Sequence, residues 1–307
     1  MSLDANADRF SGFADLYDTV RPTPPSVLAE VVTKYARGRP ALTVDLGCGT
    51  GLSTRWASRW SDEVIGVEPS DDMRVRATTA TPAKNIRYEP GWSSATGIPD
   101  GSADVVLAVQ ALHWMDPIPT FVEVARLLRP GGVFAALDCD WPPSVGDAAA
   151  EQAWHAARAI IASHEREIGV SSETEAPVPR LASSSPQTDD LRPRNVNDRA
   201  AAVTITDGVQ FWHKNEHLGR MVRSGEFGHC VEIAALTEER GDADRLVQLF
   251  RSQGDYQALR RHGLDDHTLG VDVFADRVHA SIGSESRPFW FTYRARVGVR
   301  YARPSGQ

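Results

Sequence analysis

Gly47-Cys48-Gly49-Thr50-Gly51 puts glycine at every second position, directly after the apolar stretch Thr43-Val44-Asp45-Leu46. Glycine loses the most backbone freedom on folding, so three this close mark a turn where backbone must approach something else. A glycine turn between a strand and a helix offers a ligand free N–H groups and the positive end of the helix dipole. A dinucleotide-type G-x-G-x-x-G would need glycine at position 52, which is Leu52; the spacing present is G-x-G-x-G. Glu68 closes the next apolar run, where a carboxylate can accept hydrogen bonds from both hydroxyls of a ribose.

Other residues carry chemistry by type. His113, in His113-Trp114 after an apolar run, is a candidate base. Between Trp141 and Arg223 the chain is rich in aromatic residues and histidines. His213 and His217 stand four apart, sharing a face if helical, a spacing compatible with a divalent metal. Lys214 stands where an HExxH pattern has its acid, which removes a hydrolase reading. Arg220 and Arg223 follow on the same stretch and could clamp a carboxylate. Trp114, Trp141 and His217 join them as candidate acceptor contacts.

These residues need elements to hold them. Between Thr43 and Asp138, strand-like runs ("TVDLG", "EVIGVEPS", "NIRYEPG", "ADVVLAVQAL", "GVFAALD") alternate with helical patterns ("LSTRWASRW", a helix opening at Ser70, "TFVEVARLLRPGG" stopped by Pro130). Such alternation predicts a parallel sheet covered by helices on both faces. A helix over "EQAWHAARAIIASHEREIG" follows. Ser171 to Asp198 is rich in Ser, Pro and charge and reads as a mobile loop. A helix over "EHLGRMVRSG", a strand over "FGHCVEIAALTEE", two or three helices from Asp242 to Ile282 and a final strand, "FWFTYRARVGVR", complete the plan.

Composition narrows the function classes. The net charge of -8 argues against sequence-independent nucleic-acid binding. No apolar run approaches a membrane span, and the first residues lack the basic and apolar regions of a secretory signal. Three scattered cysteines, with no CxxC, fit a reducing compartment. The expectation is a cytoplasmic protein with a small-molecule partner and no membrane or nucleic acid; nothing in the sequence sets its oligomeric state.

"VDLGCGTG", "GVEPS", "GWSSATGIPDGSADVVLAVQALHW" and "RLLRPGG", in this order and spacing, resemble the class I S-adenosylmethionine-dependent methyltransferases, in particular the small-molecule type 11 group. The resemblance covers about Phe10 to Asp138. It implies an α/β, Rossmann-like seven-stranded sheet with the last strand antiparallel, and S-adenosylmethionine bound over the ends of the first, second and fourth strands. Carried over, Asp45 supports the loop, Gly47 and Gly49 abut the donor's methionyl part, and Glu68 holds the ribose. Ser93 or Ser94 faces the adenine and Gln110 borders the sulfonium. Cys48, Pro69 and Met73 complete the donor site. "FADLYDTVRP" resembles an N-terminal lid in which Tyr17 closes over the donor and Arg21 meets its carboxylate.

"HLGRMVRSGEF" and "GDADRLVQLF" are also similar to phrases in actinobacterial methyltransferases of specialised metabolism, some of which methylate 2-oxo acids and bind a metal. The expected organisation is a donor-binding core over 1–140, a helical cap insertion forming the acceptor pocket over 141–224, and 225–307 completing the sheet. The expected acceptor is small and carboxylate-bearing, methylated at oxygen or carbon. The alternatives are a neutral phenol or amine, or a donor-binding protein without catalysis.

Overall fold

A computed structural model describes residue 6 and residues 14–168, 203–204 and 209–301. Five strands alternate with helices: β1 (Leu42–Leu46), β2 (Glu63–Val67), β3 (Ile86–Glu89), β4 (Ala103–Val109) and β5 (Leu128–Cys139). Each pairs with its neighbour in parallel. A two-residue ribbon, β6 (Val203–Thr204) with β7 (Gln210–Phe211), precedes the long strands β8 (His229–Gly241) and β9 (Arg287–Val299). The sheet order is β3-β2-β1-β4-β5-β9-β8. β9 runs antiparallel to both β5 and β8, so the final strand is the reversed one, as the resemblance implies.

The strand order reverses between β1 and β4, and in open α/β sheets the crevice beyond that switch point is where ligands bind. β4 is buried along nearly its whole length, as a strand covered on both faces must be. On one face lie α2 (Ser26–Tyr35), α3 (Leu52–Ala57), α6 (Ala148–Glu167), α8 (Ala243–Arg251), α9 (Gly254–Arg261) and α10 (Val271–Ile282), around Trp154, Phe250, Phe274 and Phe291. On the other lie α5 (Pro117–Leu127) and α7 (His217–Ser224), where Phe121, Phe134, Phe227 and Met221 meet. α1 (Ala14–Val20) and α4 (Asp71–Ala80) flank the strand ends.

Three expectations shift. The helix expected to run into Pro130 ends at Leu127, and Leu128 to Gly132 already belong to β5. It also begins earlier, at Pro117, because Asp116 accepts a bond from Ile118 N and proline suits the first helical turn. The helix expected over "EHLGRMVRSG" forms, at His217–Ser224, but it does not reach back to His213. Trp212 N is bonded to His113 O, Lys214–Glu216 form a single 3₁₀ turn, and His213 precedes that turn in extended backbone. Finally, α6, expected in the cap, buries Trp154 and Ile161 in the same core as Val105, Val133 and Phe291. It therefore covers the sheet face. The expected mobile loop over Ser171 to Asp198 lies outside the described residues.

Candidate functional site

The chain leaves β1 through three left-handed glycines, Gly47 (φ +63), Gly49 (φ +52) and Gly51 (φ +83). Side chains rarely adopt such backbone. Space is also restricted: a Cβ at Gly47 would lie 2.7 Å from Met115 Cε, and one at Gly51 would strike the Tyr88 hydroxyl. Gly47 N and Cys48 N both donate to Val67 O, at 2.8 and 3.2 Å, which ties the loop to the end of β2. Beneath the loop, Asp45 Oδ2 accepts from Ser53 Oγ (2.7 Å) and Thr54 Oγ1 (2.6 Å). Burial pushes its carboxyl up to about 6, against those two bonds.

Glu68 faces the loop from the end of β2. Its Oε2 accepts from Gly49 N and its Oε1 from Ser70 N, each at 3.0 Å. Burial raises its carboxyl, with these bonds and Arg74 pulling the other way. The two N–H groups fix the carboxylate and leave it lone pairs for a ligand's hydroxyls.

A cavity of about 1130 Å³, its mouth included, opens above the loop. Of the expected donor residues, Tyr17, Arg21, Gly47, Cys48, Gly49, Glu68, Pro69, Met73, Ser93 and Gln110 line it. Asp45 lies under the loop and Ser94 is exposed, so neither does. Ser93 Oγ is 2.9 Å from Thr120 Oγ1. Cys48 touches the cavity, but burial, Asp45 and Glu68 raise its thiol well above the ordinary range, so it stays protonated.

α1 is held over the loop by Asp18, which accepts from Thr50 Oγ1 (3.0 Å) and Arg55 Nη2 (2.5 Å) and pairs with Arg76 (3.5 Å). This brings Arg21 between two rings, its guanidinium carbon 4.7 Å from the Tyr17 centroid and 4.6 Å from that of Trp141. Arg21 also donates to Ser252 Oγ and O, at 3.0 and 2.6 Å.

Trp114 and Trp141, expected as acceptor contacts, both line the cavity. Sequence reasoning missed Asn6, Trp92 and Tyr293, which line it too. Asn6 Nδ2 donates to Trp114 O and Gln210 O (2.8 and 2.9 Å), while its Oδ1 accepts from Gln210 N (2.9 Å). One side chain thus fastens the turn after β4 to β7. Tyr293 hangs its hydroxyl on Pro22 O at 2.8 Å.

The remaining candidates lie behind the wall. His113, His217, Arg220 and Arg223 do not line the cavity, and neither does His213. Arg220 is buried, with Nη1 on His213 O (2.8 Å) and Nη2 on Glu216 (2.6 Å), so its charge is already engaged. Arg223 is exposed and lies over Gly219. The carboxylate clamp expected from this pair is not formed.

The metal pair is not formed either. His217 instead turns inward to Asp138 (Nε2–Oδ2 3.8 Å), which also faces His113 Nδ1 at 3.5 Å. These three are the one group among the described residues with metal-like donor spacing. However, Asp138 Oδ2 is 2.7 Å from Arg296 Nη1, and Lys214 Nζ lies 3.9 Å from its Oδ1. A divalent cation would sit against two resident cations, so the cluster does not fit a metal. Burial would raise the Asp138 carboxyl, but His113, Lys214 and His217 together draw it below the ordinary carboxylate range. Lys214 also donates to Gln110 Oε1 at 3.3 Å, linking this buried charge to the cavity wall.

Residues 44–136 match the family described as "Methyltransferase domain". The probable S-adenosylmethionine-dependent methyltransferase CRG1 of Saccharomyces cerevisiae is 35% identical over 125 residues, covering 39% of this chain and 43% of its own. A trans-aconitate 2-methyltransferase of Methylobacterium radiotolerans is 31% identical over 163 residues, 52% of this chain and 56% of its own. The matched stretch spans about half the length of these relatives. A solved Anaeromyxobacter dehalogenans protein, assigned as a type II methyltransferase, shares the fold with a TM-score of 0.56 at 22% identity, covering 92% of this chain and 99% of its own. No helix among the described residues is long and apolar enough to cross a membrane.

Proposed function

We propose that the chain, whose residues 44–136 match the methyltransferase-domain family, is a class I methyltransferase that transfers a methyl group from S-adenosylmethionine to a small organic carboxylate. The donor's residues in this reading are Gly47 and Gly49 at the methionyl part, Arg21 at its carboxylate, Glu68 at the ribose, Met73, Trp92 and Ser93 around the adenine, and Gln110 near the sulfur. Bound S-adenosylmethionine supplies a methyl carbon on a positively charged sulfur, an excellent leaving group.

One observation carries the acceptor class. The described cavity lining holds no histidine, aspartate or lysine, and its one glutamate is Glu68 at the donor end. Phenols and the carbon of a 2-oxo acid must lose a proton to react at neutral pH and need a base there. A carboxylate already carries its lone pair and releases no proton. The chain then has only to aim it and keep water out, which Asn6, Trp114, Trp141 and Tyr293 are placed to do. A relative named for trans-aconitate is consistent with this class. A neutral amine, equally independent of a base, is the second reading. A place in specialised metabolism rests on the C-terminal phrases alone.

The test is transfer from isotope-labelled S-adenosylmethionine into a mixed panel of carboxylic acids, 2-oxo acids, phenols and amines, read by mass. Label on a carboxylate oxygen, released by alkali as from an ester, is the expected result. Label on carbon or a phenol would require a base in the acceptor end and would sink the proposal. Donor binding with no labelled product from the panel would favour a protein that binds S-adenosylmethionine without catalysis.

A further inference from the structure

β8 ends the sheet, and its second edge is unpaired among the described residues. At 13 residues it is about twice the usual strand length of 5–6. Edges template pairing with another chain and are normally blunted by charged side chains, lysine above all, by proline or by a bulge; the charges this edge carries are of both signs, Glu232, Glu238 and Arg240. His229–Gly241 contains no proline or lysine, and its register runs unbroken from His229↔Val299 to Gly241↔Arg287.

The direction of its backbone groups follows from the bonds around β9. Asp140 N donates to Thr292 O, and Ser144 and Trp290 exchange bonds, so even-numbered residues of β9 turn toward β5. Odd-numbered ones face β8, and by the register they meet odd-numbered residues there. The N–H and C=O groups of Cys230, Glu232, Ala234, Leu236, Glu238 and Arg240 therefore point away from the sheet. Among the described residues, only the Arg240 carbonyl takes a partner on that side, Arg245 Nη1 at 2.5 Å.

The side chains on this edge are self-complementary in one register. Two copies related by a twofold axis pair antiparallel, residue i meeting j and j meeting i. With the axis at Leu236, Glu232 faces Arg240 of the second copy, twice, and Ala234 faces Glu238. Moving the axis to Ala235 sets Glu232 against Glu238, a like-charge pair that opposes pairing. Moving it to Thr237 sets Arg240 against Ala234 and leaves no charge pair. Leu236 is 62% exposed. Arg240 has only Ser286 for company and no carboxylate among the described residues. Glu232 already accepts from Arg296, which also reaches Asp138, and the other Glu232 oxygen lies 3.7 Å from Arg294. Arg240 of a second copy would continue this alternation of charge from Asp138 through Arg296 and Glu232.

We propose that β8 pairs with β8 of a second copy of this chain, antiparallel about Leu236, joining the two sheets into one. The test is sedimentation of the full chain from micromolar to submillimolar concentration, with amide exchange at the upper end. The expected mass is twice the chain's 33.5 kDa. Exchange at Ala234, Leu236 and Glu238 should slow as concentration rises, while the odd-numbered amides are protected throughout. Leu236→Pro removes an N–H that the single chain does not use, so it should weaken dimerisation at least about tenfold and leave the fold intact. Arg240→Glu should weaken it in the same direction, and decides alone if Leu236→Pro fails to fold. A monomer at every concentration, or a dimer that tolerates both changes, overturns the proposal.

Discussion

The two ends of the cavity are built differently. The proposed donor end comes from short stretches, Gly47 to Thr50, Glu68-Pro69 with Met73, and Trp92-Ser93, each at or just beyond the end of one strand. The other end is assembled from Asn6, Trp114, Trp141 and Tyr293, drawn from nearly the whole length of the chain. The first works mainly through backbone, in turns that only glycine enters easily. The second works through side chains whose neighbours are set by packing. Changes at the donor end should therefore act through local geometry, and changes at the other through the fit between segments.

The largest expected effect tests the backbone end. Gly47→Val forces a branched residue into a left-handed conformation costing roughly 1–2 kcal/mol, and pushes it into Met115. Affinity for S-adenosylhomocysteine, measured calorimetrically, should fall more than about 100-fold. Glu68→Ala should lower the same affinity by roughly 10- to 100-fold, the weight of charge-assisted bonds. Unchanged binding would remove the ribose from that carboxylate.

Asn6→Ala should show the contrast. Donor affinity should stay constant while KM for the acceptor rises about tenfold, the equivalent of one or two lost hydrogen bonds. A fall in donor affinity of equal size would erase the distinction between the two ends. Arg223→Ala, outside the cavity, should leave both constants within about twofold.

A pH experiment separates the buried cluster from both ends. Burial pushes His217 down from 6.5 to about 3, with Asp138 partly opposing. The unfolded chain takes up this proton near 6.5 and the folded chain only near 3, so stability falls as pH drops through that interval. Asp45 acts in the opposite sense: raised from 3.8 to about 6, it is protonated first in the folded chain and favours folding as pH falls between those values. The difference between the wild type and His217→Gln isolates the histidine. Urea midpoints from pH 7 to 4 should fall more steeply for the wild type; parallel curves would contradict a neutral buried His217.

The same contrast explains what the sequence disclosed. The glycine spacing, Glu68 and the strand alternation are local signals, and they placed the sheet and the loop correctly. Tyr293 alternates like any inward strand residue and carries no mark of a cavity position. Asn6 bonds the backbone of residues far along the chain, which no spacing reveals. His213 and His217 misled because their four-residue interval implies a shared face only inside a helix, and α7 begins at His217. Arg220 misled because its charge is satisfied by Glu216, one turn earlier.

Asp18 has a kinetic consequence. It is mostly buried and joins α1 to Thr50, Arg55 and Arg76, so one carboxylate fastens the helix that carries Tyr17 across the cavity. Dissolved ions screen such pairs when they open to water, and the Debye length shrinks from about 10 Å at 0.1 M salt to about 3 Å at 1 M. The residence time of a bound ligand should then shorten with ionic strength, while the start of the glycine loop beneath, tied to β2 by the bonds from Gly47 N and Cys48 N to Val67 O, keeps its shape. Stopped-flow release of S-adenosylhomocysteine at two salt concentrations reads this directly, and Asp18→Asn should abolish the dependence.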